Sequence, residues 1–261
     1  MSINRPENSS TKPEKLPRVG KLFPRKSETF TDQEILPGLK IEVITYPQQP
    51  DTIMGYIPQT DNIYIFGGAY DAIDQGRYAV VDLAGLHESD HANYFRLPVA
   101  MQKASNDLIL GLIATNNEAK QYFIKFVQAL YRRPKANYLD THLFSNQKVK
   151  AIISHDDHKP GLKDLRFLDV DVDESGKTRK VYLGLVMTEF FAYMSAGHHP
   201  ITLLDGDTLE NINVKKILAN ISIFRKKFID PNPTVIAKLR WNGGHGLRRP
   251  IPNFRKYLID E

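Results

Sequence analysis

The spacing of apolar residues changes at Pro98, and that switch constrains the fold more than any other feature of the chain. Before it, Leu39-Lys-Ile-Glu-Val-Ile-Thr45 alternates with a period of two, Asn62-Ile-Tyr-Ile-Phe66 ends at Gly67-Gly68, and Tyr78-Ala-Val-Val-Asp-Leu83 ends at Gly85, so each run predicts a short strand. After it, Leu108, Leu112 and Ile113, then Tyr122, Phe126 and Leu130, recur at three- and four-residue spacing, which predicts amphipathic helices over 99–114 and 118–131. Strand-like runs return at 149–154, 165–172 and 179–185. A helix follows over 187–196 and stops at Gly197, and Asp207-Thr-Leu-Glu210 has the form of a capping box opening a helix over 208–228. The expected fold class is α+β, with short strands and amphipathic helices in one domain over 36–261. Residues 1–35 carry Pro6, Pro13, Pro17 and Pro24 and little apolar payload, and are expected to form a mobile basic tail.

Charge is distributed unevenly. Residues 213–261 hold 11 Lys and Arg against three acids, a net of +8, whereas the whole chain is +5. The first 30 residues add +4, which leaves an acidic middle of −7. Clustered cations gain from releasing counterions condensed on phosphates, so 178–261 is expected to be a nucleic-acid-binding part. The chain has no cysteine, which excludes disulfides, thiolate nucleophiles and Cys-ligated metal sites; any metal must be held by His, Asp or Glu. No window reaches the 18 uncharged apolar residues of a membrane span and the N-terminus lacks an apolar signal core, so a cytoplasmic protein with no membrane partner is expected.

Four polar clusters are candidates for chemistry. His87-Glu-Ser-Asp-His91 matches the H-E-x-x-H of zinc peptidases, in which two imidazoles share a helix face and the Glu activates water. The string resembles the gluzincins, and Glu118 in Asn117-Glu118-Ala119 stands where that family offers its third, glutamate ligand. The context predicts otherwise: Asp90 lies inside the motif, Gly85 upstream and Pro98 downstream, so a solvated turn without catalytic metal is expected, and no cofactor. His155-Asp-Asp-His158 precedes Lys159-Pro160-Gly161 and reads as a surface loop, and His198-His199 as a helix-to-loop junction. Asp169, Asp171 and Asp173 share strand parity and offer a carboxylate nuclease as an alternative, but their alternation with Leu168, Val170 and Val172 is that of a half-solvated strand.

The favoured site is the basic one. Asn242-Gly-Gly-His-Gly-Leu-Arg-Arg249 frees backbone N–H groups beside Arg248 and Arg249, next to Trp241, Arg240 and Lys238. The segment 178–228, a basic strand followed by two helices, resembles the ribbon-helix-helix DNA-binding unit. That resemblance implies a homodimer and base contacts from Lys180 and Tyr182, while the clustered basic charge offers Lys215, Lys216, Arg225, Lys226, Arg240, Arg248 and Arg249 as phosphate contacts. The expectation is a non-enzymatic DNA-binding transcriptional regulator acting on duplex DNA. Alternatives are an RNA-binding protein and a metal-dependent hydrolase using His87, Glu88 and His91, or Asp169 and Asp171.

Overall fold

A computed structural model of the chain describes residues 28–32, 36–43, 52–131, 167–171, 178–197, 209–241 and 250–259. These residues form a mixed α+β structure that is mostly helical. Strands β1 (Glu28–Asp32), β2 (Leu39–Val43), β3 (Met54–Ile57) and β4 (Asn62–Ile65) make a sheet in the order β1-β2-β4-β3. The β1–β2 and β3–β4 pairs are antiparallel and β2–β4 is parallel, which leaves β3 at an edge. Helices α1 (Gly67–Asp74), α2 (Tyr78–Arg96), α3 (Val99–Thr115) and α4 (Asn117–Tyr131) follow. A hairpin of β5 (Phe167–Asp171) and β6 (Thr178–Tyr182) leads into α5 (Leu183–Ala196), then α6 (Leu209–Phe224), a π turn (Arg225–Ile229) and α7 (Pro233–Trp241). β1 falls within the stretch expected as tail, and it pairs with β2 along its whole length.

The strand expected at 179–185 ends at Tyr182, and Leu183 already belongs to α5. Its partner is β5 of the same chain, with Lys180 opposite Asp169 and Tyr182 opposite Phe167. No helix among the described residues is long and apolar enough to cross a membrane.

The largest departure from the sequence expectation is at 78–83, expected as a strand and found as the first turns of α2. Helix α2 is buried on two sides, which blurs its period. Val81 and Ala92 join the sheet-side core with Ile41, Ile63 and Tyr70, while Val80, Leu83, Tyr94 and Phe95 join the helical core with Phe123, Phe190 and Phe191. A helix apolar on most faces loses the one-sided spacing by which helices are recognised. Pro98 marks the stop of α2: Leu97, just before it, is extended, as the residue ahead of a proline should be.

Gly85 is in α2 because of a close approach. A Cβ built there would lie 1.9 Å from Cδ2 of buried Phe254. The segment carrying Phe254 is tied to the same helix by Asp82, whose Oδ1 accepts the backbone N–H groups of Phe254 at 2.8 Å and Arg255 at 3.2 Å. Burial pushes the Asp82 carboxyl up, and these donors act against that push. Removing the ring leaves a cavity under the helix, so Phe254→Ala should cost about 3–5 kcal/mol in chemical denaturation. Gly85→Ala gains about 1 kcal/mol of helix propensity, yet should still destabilise, because overpacking against a rigid ring costs more.

Candidate metal centre

His87 and His91 stand one turn apart on α2, so their rings share a face. Their Nε2 atoms are 3.1 Å apart. Glu189 enters from α5, with Oε2 3.5 Å from His87 Nε2 and Oε1 3.4 Å from His91 Nε2. These three are the residues that group as metal ligands among the described residues, with ligand atoms all within 4.8 Å of one another. Zinc bonded at about 2.0–2.1 Å in tetrahedral geometry sets its donors about 3.3 Å apart. The observed spacings bracket that value.

The burial of Glu189 makes the arrangement informative. Residues 186–197 of α5 and its end are buried throughout, and Glu189 is buried with them in an otherwise mostly apolar run. An ionised carboxylate in such surroundings is costly unless it is paired or binds a cation. Burial pushes the Glu189 carboxyl up, but His91 and His87 beside it outweigh that and hold it well below the carboxylate range. For His91, burial pulls the imidazole down, while Glu189, with Glu88 and Asp90, brings it out above its ordinary value. Glu189 Oε2 and His87 Nδ1 have no hydrogen-bond partner at ordinary geometry among the described residues. Two imidazoles and a carboxylate with an unsatisfied oxygen form a donor set that suits zinc.

Glu88 lies beside the group without joining it. Its Oε1 is 4.0 Å from His87 Nε2, and its Oε2 accepts the backbone N–H of Tyr56, on edge strand β3, at 2.7 Å. In an antiparallel pair the N–H and C=O of one residue point the same way, so Tyr56 turns both groups away from β4 and toward the site. The Tyr193 ring packs on His87 with centroids 4.3 Å apart.

Several expectations are corrected. The HExxH string is part of a helix and not a solvated turn; Ser89, Asp90 and His91 are buried. Glu118 is exposed on α4 and pairs with Lys227, so the carboxylate at the histidines is Glu189, which the sequence reading passed over. Its signal was a single acid inside the apolar run of α5.

The basic residues are spread along the last helices. Lys215 is half-buried and Lys216 exposed on α6; Lys226 is exposed on the π turn; Arg240 and Trp241 are exposed at the end of α7. Arg225 is buried, its guanidinium donating to Met194 O at 3.1 Å and Asp230 Oδ1 at 3.0 Å, so this cation is committed to internal contacts. Asp169 and Asp171 lie on β5. His155, His158, Asp173, His198, His199, Arg248 and Arg249 lie outside the described residues. Compared with protein-family models, curated proteins and solved structures, the chain matches none.

Proposed function

We propose that the chain is a zinc-dependent hydrolase acting on extended peptides, with His87, His91 and Glu189 as ligands and Glu88 as general base. The observation that carries this reading is the convergence of three donors, buried His91 and Glu189 and half-buried His87, 3.1 to 3.5 Å apart, on a helix pair whose other side chains are mostly apolar. The ligand set is that of the gluzincin resemblance, with the glutamate supplied by α5. When bound, zinc supplies Lewis acidity toward a carbonyl and makes water more acidic. Glu88 Oε1, on the side nearest His87, takes the proton from the attacking water and returns it to the leaving nitrogen. Peptide as substrate is supported by β3: Glu88 holds the Tyr56 N–H, the Tyr56 C=O points the same way away from β4, and an extended chain can add to such a strand edge by main-chain hydrogen bonds. Elemental analysis of protein purified without chelator should find one zinc per chain, lost in His91→Ala. Wild-type protein that stays free of zinc after incubation with the metal and desalting would overturn the reading.

DNA binding is a separate proposal, supported by the exposure of Lys216, Lys226, Arg240 and Trp241 and by the +8 segment to which Lys216, Lys226 and Arg240 belong. A ribbon-helix-helix form of it requires β6 to pair across a dimer in place of β5. Gel shifts with duplex and single-stranded competitors test it, and no shift at low salt would end it.

A further inference from the structure

The geometry points to Asp61 and Arg96 as positioning residues that hold edge strand β3 in register over Glu88, and so set the orientation of the general base. The inference rests on the hydrolase reading for its catalytic consequence, but not for its structural one. Glu88 takes its orientation from the Tyr56 N–H, and β3 is a four-residue strand bonded to the sheet on one side only. Short edges open easily unless something else secures them.

The security comes through the side chain of the same tyrosine. Tyr56 Oη donates to Asp61 Oδ1 at 2.7 Å, and its ring stacks on Phe95 of α2 with centroids 6.0 Å apart. Asp61 is gripped by Arg96, whose Nε lies 3.2 and 3.1 Å from the two carboxylate oxygens and whose Nη2 lies 2.9 Å from Oδ2. Nη1 of the same guanidinium donates to Pro37 O at 2.8 Å, in the turn before β2. Arg96 is the last residue of α2, eight residues beyond Glu88. One helix therefore holds Tyr56 twice, by its backbone at Glu88 and by its phenol through Asp61.

Two further observations fit this role. Asp61 has φ of 57°, the left-handed region that Asp tolerates better than most residues, and this conformation closes the turn between β3 and β4. Burial first, then Asp61, pushes the Tyr56 phenol above its ordinary range, so it remains a donor. The exposed flank of an ion pair is worth little in stability. A charged, fork-shaped clamp is accordingly suited to fixing a register more than to holding a fold together.

Asp61→Asn keeps a residue that accepts the left-handed conformation while removing the charge; Arg96→Gln removes the fork; Tyr56→Phe removes only the hydroxyl. Each is compared with wild type by hydrogen exchange over 54–57, by zinc content, and by hydrolysis of fluorescently labelled casein. We expect exchange at the Tyr56 amide to rise about tenfold or more in all three, as it should in Glu88→Ala. Zinc content should stay at the wild-type level, because no ligand touches the clamp. The kcat should fall about 10- to 100-fold, since a small misplacement of a reacting group is enough, and KM should rise by less, since a peptide that adds to β3 also meets a looser strand. Exchange at Tyr56 that stays at the wild-type rate in both Asp61→Asn and Arg96→Gln would overturn the clamp, as would loss of zinc and kcat in equal measure. Faster exchange in a protein whose wild type neither holds zinc nor cleaves casein would leave the clamp standing and remove the hydrolase reading.

Discussion

Glu88→Gln is expected to keep a full complement of zinc while slowing casein hydrolysis about 10²- to 10⁴-fold, the range over which a positioned general base acts. The two effects separate because Glu88 is not one of the three grouped donors. A glutamine retains a carbonyl oxygen to accept the Tyr56 N–H, so the edge strand keeps its anchor, but its amide cannot take a proton from water. Turnover and metal content measured on one preparation decide the matter. Activity within a few-fold of wild type would place the base elsewhere, and loss of zinc would make Glu88 a ligand.

Glu189→Leu is expected to weaken both metal binding and the metal-free fold. Altering a partner that merely orients a ligand costs about 10- to 100-fold in metal affinity, so removing a direct donor should cost at least about 100-fold. The metal-free protein should also melt several degrees lower than wild type in mildly acidic buffer, because the substitution takes one partner from a buried pair and leaves His91, whose charged form Glu189 favours, without it; such a loss costs up to about 3–5 kcal/mol. The difference should shrink as pH rises, since a neutral imidazole no longer gains from the carboxylate. A metal-free melting temperature at or above wild type in acidic buffer would show that the carboxylate serves a cation and not the fold.

What the sequence made legible depended on how many sides of an element are covered. Strands β2 and β4, with Leu39, Ile41, Val43, Ile63 and Ile65 buried on one face, alternate cleanly, and α3 and α4 were placed within a residue or two by their spacing. Helix α2 is covered on two sides, and its Val80-Val81 pair and Gly85 mimic a strand entering a turn. The HExxH string was visible from the letters alone, but its meaning depended on that misread helix. Asp90 read as a surface charge because nothing local says that Asp90 and His91 are buried. Glu118 and Glu189 are both glutamates downstream of the histidines; only the packing of α5 against α2 chooses between them. Sequence spacing carries no record of which helices touch. The clamp at Asp61 and Arg96 spans 35 residues and was invisible for the same reason.

The tie between Asp82 and the Phe254 backbone crosses 172 residues of chain. A ribosome therefore finishes the helix bearing the two histidines long before it makes the ring that packs against Gly85, and Glu189 also arrives about a hundred residues late. Contacts this distant in sequence form slowly and late. A nascent chain would thus hold its histidines and Glu88 without the third donor until Glu189 is made, and without the covering ring until Phe254 is made.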